Sequence, residues 1–399
     1  MSKRRVLMVA GYLPGYEGIT SYLITLTKEL LKNGWEVALV SDTATKDLNI
    51  PGRADLRTEW IESLGIRHFY VSFPKFRRGS VQGLTQDSFS IFQSLKKLNS
   101  AIVEFQPDVI HVHSLSVSLF VQILRIFHKV PCVVTCHQQP GTVWVRDKLG
   151  VLFSQYVNIF FGDRCIALSS TLQDYFINTM RVPKDKVRLI YSGVDSQHFR
   201  PPSQDERLEA RKHYGLTSEE QVICLIGSLQ ERKGHEILLQ ALANLRTNGL
   251  NVTTLFAGVG IWKSYIQEKA VELGVADLIH WLGFTDSRQV LWASDIFVLP
   301  SWQEAFPLVI IEAMLCGVVT VRTPTSGSAD QIQQNVNGFI FPFGDHETLA
   351  LHLKELLESN TLKSQIADTA LKLSQEKFTL NKMTQALINV YEEVTHDID

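Results

Sequence analysis

The 399-residue sequence has no block of Lys or Arg long enough to mark a nucleic-acid-binding face, and its formal net charge of -2 adds no general attraction for polyanions. Nor does it hold an uninterrupted apolar run of about 18 residues. The nearest segment, 149–161, is broken by Ser154, Gln155 and Asn158, which excludes a helical membrane span. Before Gly11 there are only about five consecutive apolar residues, fewer than the roughly 7–15 of a signal peptide, so the chain is expected to stay in the cytoplasm. Metal-ligand spacing is absent from the five cysteines, Cys132, Cys136, Cys165, Cys224 and Cys316, whose apolar contexts predict reduced, buried thiols. The single Asp-x-Asp, Asp397-Ile-Asp399, sits in a terminal tail where fraying discounts it as a metal site.

What is present is an ordinary globular composition, 45% hydrophobic and 20% charged, with length for two domains of roughly 200 residues. Short apolar runs alternate with amphipathic stretches. Strands are predicted near 6–10, 36–40, 109–113, 133–137, 165–168 and 187–191, with helices such as 19–32 between them, a parallel α/β rhythm. The segment 193–206, with Arg200-Pro-Pro-Ser, interrupts it, and a second series follows near 222–226, 253–257, 279–282, 296–299 and 318–321. We expect two Rossmann-like, doubly wound domains over 1–195 and 196–379, their strand carboxyl ends facing a central crevice. From about Glu347 the pattern is wholly helical, and a last helix near 380–399 is expected to pack back on the first domain.

Several residues stand out on chemical grounds. Glu304 and Glu312 lie eight apart, and Glu312 falls inside the apolar run 308–313, where an unpaired carboxylate costs several kcal/mol and calls for a dedicated partner. Pro307 suits the first helical position, leaving the amides of Leu308 and Val309 at a helix N-terminus that favours a phosphate. The plainer alternative is a carboxylate favouring a helix dipole plus a buried ion pair. Lys233 follows a strand and the turn at Gly227 and opens a helix, where its ammonium can meet a phosphate. The turn from Gly11 to Gly18 joins strand to helix with glycines that permit close backbone approach to a ligand. His137 ends a strand at the crevice edge. His111 and His113 alternate on one strand, share a face, and read as core or crevice lining.

The sequence Pro300-Ser301, then Glu304-Ala-Phe-Pro-Leu and Glu312-Ala-Met-Leu-Cys-Gly, resembles the E-x7-E signature of glycosyltransferase family 4, retaining nucleotide-sugar transferases of the GT-B fold. Ile226-Gly-Ser-Leu-Gln-Glu-Arg-Lys-Gly234 resembles the family's phosphate-binding turn, Ala257-Gly-Val-Gly260 its glycine pair, Ser192-Gly-Val-Asp195 with Phe199 its interdomain signature, and Asn337-Gly338 its late turn. The resemblance implies a retaining hexosyltransferase acting on a UDP- or GDP-sugar co-substrate, without an obligatory metal. It implies His137, Lys233 and Glu304 as catalytic residues, and Gly18, Ser228, Arg232, Lys233, Phe306, Leu308, Val309 and Glu312 as donor-binding, with Glu312 on the ribose. The acceptor is expected to be a saccharide, a lipid-linked sugar or a small molecule, met by loops near 12–16, 73–84 and 138–143.

The chain departs from the family pattern at several places. Ser228 stands where an arginine usually lies five positions before the lysine, with Arg232 as a candidate replacement for its charge; Glu17, Ser192, Ala305, Ser326 and Asp330 replace other family residues. A sugar-nucleotide epimerase of the same fold and a noncatalytic nucleotide-sugar-binding subunit therefore stay open. Lys75, Arg77 and Arg78 beside Phe73 and Phe76 motivate contact with the cytoplasmic face of a membrane.

Overall fold

The structure is a computed structural model and describes residues 4–11, 13, 18–42, 63–74, 81–137 and 161–396, leaving aside the side chains of 81–88 and 116. The expected acceptor loop at 138–143, the basic cluster at 75–78, residues 12 and 14–17 with Glu17, most of the 149–161 run, and Asp397-Ile-Asp399 lie outside the described residues. Two compact units emerge, one from Met1–Ser192 with Leu380–Asp399, the other from Gly193–Thr379.

In the first unit the order is β1 (Arg5–Val9), α1 (Gly18–Lys32), β2 (Glu36–Ser41), β3 (Arg67–Tyr70), α2 (Val81–Phe105), β4 (Val109–Val112), α3 (Leu115–His128), β5 (Cys132–Cys136), β6 (Arg164–Ala167), α4 (Ser170–Asp174) and β7 (Val187–Leu189). The second unit holds α5 (Gln204–His213), β8 (Val222–Ile226), α6 (His235–Thr247), β9 (Thr253–Ala257), α7 (Lys263–Glu272), β10 (Ile279–Gly283), α8 (Ser287–Ala293), β11 (Ile296–Leu299), α9 (Leu308–Leu315), β12 (Val319–Arg322), α10 (Ser328–Gln331), β13 (Phe339–Ile340), α11 (His346–Glu358) and α12 (Asn360–Lys377). The last helix, α13 (Leu380–His396), belongs to the first unit, where it lies against α1, β4 and β5.

Every strand pairs in parallel, in the orders β3-β2-β1-β4-β5-β6-β7 and β10-β9-β8-β11-β12-β13. Both sheets therefore reverse direction of winding once, between β1 and β4 and between β8 and β11, and ligands of such sheets bind beyond the strand carboxyl ends at that reversal. Parallel strands are covered on both faces, which is why they read as unbroken apolar runs. In β8, Ile223 and Leu225 enter one core with Leu238, Leu242 and Val298, while Val222 and Cys224 enter the other with Val290, Leu299 and Met314. All five cysteines are free and buried in these layers. Among the described residues no helix is long and apolar enough to cross a membrane.

Candidate functional site

In the second unit, the turns after β8 and β11 meet at the reversal point. The first turn leaves β8 through Gly227 and Ser228, forms a 3-10 turn over Glu231–Lys233, and reaches α6 only after Gly234. Lys233 thus does not open the helix as expected: Gly234, at φ +68, comes between, and a Cβ there would lie 2.1 Å from the Pro300 carbonyl oxygen. The two turns are consequently pressed backbone to backbone. Gly258 makes the same kind of contact, since a Cβ on it would sit 1.9 Å from the Gly227 oxygen.

That close approach brings Lys233 Nζ to 2.6 Å from Glu304 Oε1, with both side chains only about a tenth exposed. Arg232 reaches the same carboxylate from the rim, at 3.7 Å, and donates through Nε to Gln230 Oε1 at 3.0 Å. The tight turn aims both neighbouring side chains, Arg232 and Lys233, at Glu304. Ser228 lies beside Gly227 at the start of this turn.

Pro307 is the residue that caps α9 and not its first helical residue, because its ψ of 116 is extended; Leu308 begins the helix and with Val309 supplies first-turn amides. Phe306 is buried, its ring 5.8 Å from that of Phe378, so its side chain is committed to packing.

Glu312, one turn and more into α9, was expected to have a dedicated charged or polar partner. It has a hydroxyl: Ser287 Oγ donates to Oε2 at 3.2 Å, and among the described residues no cation pairs with it. Burial, helped by the charge of Asp286 and opposed by Ser287, pushes the Glu312 carboxyl up to about 7. Nothing in the sequence connected Ser287 to Glu312, since the two are 25 positions apart on different helices.

The unfolded chain releases this proton near the ordinary 4.5, whereas the folded chain holds it to about 7. Between those values the folded state binds more protons, so its stability falls as pH rises through that window, by about 3 kcal/mol in all. Glu312→Gln should remove that fall: melting temperature between pH 5 and pH 8 becomes flatter than in the wild type. An identical pH profile for both proteins would contradict a protonated Glu312.

In the first unit, His137 follows β5, where its ring lies 4.8 Å, edge on, from Tyr22 of α1. His113, just past β4, brings Nδ1 within 3.4 Å of His137 Nε2. Burial lowers His137 to about 4, which leaves the imidazole neutral and able to accept or donate one hydrogen bond at pH 7. His111 and His113 prove to be core residues, ring centroids 4.0 Å apart. His111 is held by Tyr391 Oη at 2.5 Å and Thr135 Oγ1 at 2.7 Å. Gly18 begins α1 at an exposed position with open space around its Cβ direction, so the described surroundings do not themselves demand glycine. Phe73 is buried against Phe120 at 5.4 Å, which removes it as an anchor for a membrane surface. No group of three His, Cys, Asp or Glu side chains among the described residues is arranged to hold a metal ion.

Two family models match the sequence, "Glycosyltransferase Family 4" over residues 16–198 and "Glycosyl transferases group 1" over 206–373. An uncharacterized glycosyltransferase of Methanocaldococcus jannaschii is 25% identical over 386 residues, 94% of each chain. The N-acetyl-alpha-D-glucosaminyl L-malate synthase of Bacillus anthracis is 25% identical over 83% of this chain and 90% of its own. In fold, the Anabaena protein HepE, solved in complex with UDP, superimposes with a TM-score of 0.78 at 22% identity, covering 98% of this chain and 100% of that one.

Proposed function

The chain belongs to glycosyltransferase family 4, with the GT-B fold, and from that premise we propose that it transfers a hexose, with retention, from a UDP-sugar to an acceptor hydroxyl. The observation that carries this reading is the enclosed Lys233–Glu304 contact of 2.6 Å beside the first turn of α9. The first-turn amides of Leu308 and Val309 and the ammonium of Lys233 would take the diphosphate, and they oppose the negative charge that grows on it as the sugar–phosphate bond breaks. Glu304 would hold hydroxyls of the transferred sugar and Glu312 the ribose diol; a carboxyl titrating near neutrality can donate as well as accept there. Retention would follow from attack on the face the diphosphate leaves, with the diphosphate taking the acceptor's proton, so no protein nucleophile is needed.

The first unit would serve the acceptor, with neutral His137 near the reacting sugar and Gly18 letting backbone approach it. UDP is favoured over GDP by the likeness to HepE, which was solved with UDP and with UDP-glucose. The deciding experiment incubates the purified chain with a panel of UDP- and GDP-sugars and with saccharide, lipid-linked and small-molecule acceptors, and reads released nucleotide diphosphate and product anomer. Acceptor-dependent release with an axial product from an axial donor supports the proposal. An epimerised donor without acceptor would replace it with epimerase chemistry, and tight binding with neither release nor epimer would make the chain a binding subunit.

A further inference from the structure

Arg322 closes β12 with no exposed surface at all, yet among the described residues it makes no ion pair. Its guanidinium is satisfied by neutral groups alone: Nε donates to the Thr323 carbonyl at 3.2 Å, one terminal nitrogen to Thr325 Oγ1 at 2.5 Å, and the other to Gln331 Oε1. Gln331, itself fully buried on α10, turns its amide the other way, donating Nε2–H to the Pro307 carbonyl at 3.2 Å. Asn337 Nδ2 in turn donates to the Gln331 carbonyl at 2.8 Å and keeps that residue in place. Thr323, next to Arg322, donates its hydroxyl to the Ser301 carbonyl. The loop carrying Glu304, from Ser301 to Pro307, is thus tied at both ends to the Arg322 corner.

Burying a guanidinium without a contacting carboxylate is costly, and neutral acceptors repay only part of that cost. The countercharge that acts on it is Glu304, whose field raises Arg322 against the larger lowering by burial, to about 10. Glu304 already meets Lys233 and Arg232, so one carboxylate before α9 answers three cationic groups, two by contact and Arg322 through its field. The excess positive charge is what an anion at that helix start would find.

Resting on the donor reading above, we propose that Arg322 is a positioning residue for the diphosphate: through Gln331 it fixes the Pro307 carbonyl and hence the first-turn amides of α9, while its charge favours the anion from beneath the loop. The side chain does not itself touch ligand. It also answers the departure at Ser228, by placing a third cation at the site from a different strand.

The test is calorimetric titration of the full chain with UDP and, separately, uridine. Arg322→Met should weaken UDP at least 10-fold while uridine stays within 2-fold, and Arg322→Lys should recover part of the loss. Gln331→Glu keeps an acceptor for Arg322 but removes the N–H that Pro307 needs; it serves where Arg322→Met fails to fold, and should weaken UDP selectively as well. A folded variant that binds UDP and uridine in the wild-type ratio overturns the inference and leaves the donor reading intact. A wild type that binds neither UDP nor GDP overturns both.

Discussion

Replacing Lys233 with alanine is expected to lower turnover about 10²–10³-fold while the chain stays folded, the usual effect of removing one preorganised donor to developing negative charge. Lys233 Nζ lies 2.6 Å from Glu304 Oε1, so its position is set before any ligand arrives. The loss should fall on kcat more than on KM, because in the proposed reaction the leaving diphosphate would carry more charge in the transition state than in the bound donor. Folding survives because Arg232, 3.7 Å from the same carboxylate, keeps Glu304 from being left without a cation. Glu304→Ala should lower activity comparably, and the double variant should be little worse than either single, since two residues acting as one unit do not add. Circular dichroism establishes the fold, and steady-state release of the nucleotide diphosphate gives the rates. Wild-type turnover in both folded single variants would remove the pair from catalysis.

The largest effect on stability is expected at Asp295, far from that chemistry. It precedes β11, where its carboxylate accepts from Arg207 at 2.7 Å, from Arg211 at 3.2 Å and from the Val222 amide at 2.8 Å. The Arg211 side chain is 3% exposed, so deleting the one carboxylate that pairs with it among the described residues leaves a buried charge held by backbone carbonyls, those of Ala293, Thr217, Ser218 and Glu220. Breaking a buried pair from one side costs about 3–5 kcal/mol, and Asp295→Ala should lose about that much. Asp295→Asn should lose less, because an amide oxygen still accepts from Val222. Urea unfolding of the three proteins measures the difference through the midpoint at constant slope. A loss under about 1 kcal/mol for alanine would show that water or neighbouring carbonyls replace the carboxylate.

The sequence made the central strands visible because a strand covered on both faces cannot hide its apolar run; β8, β9 and β11 lie close to their expected bounds. The strands it did not reveal are at sheet edges. β3 reads Arg-His-Phe-Tyr with half-exposed positions, and β13 has two residues, so neither leaves a run to detect. Of the candidate site, Glu304, Glu312 and Lys233 stand out in the sequence through spacing and family likeness, whereas their contacts in the fold do not. Ser287 near Glu312, and Gln331 beneath Pro307, are joined by packing across 24–25 residues of chain. Arg322 was the least visible, because a lone arginine at a strand end ordinarily marks solvent, and only the tertiary structure shows it fully enclosed.

The placement of α13 has a consequence for how the protein is made. The first unit is not continuous in sequence: Trp35, 5.3 Å from the Tyr391 ring, His111 through its Tyr391 contact, and Arg164 and Arg188 through Glu393 at 2.8 and 2.6 Å all wait for residues synthesised after the entire second unit. At roughly 5–20 residues per second, translation from 193 to 396 takes on the order of 10–40 s, during which the N-terminal sheet lacks the helix that covers it. The unit encoded second is therefore the one able to finish first, and the nascent N-terminal sheet presents an apolar face to chaperones or to aggregation until the last helix leaves the ribosome.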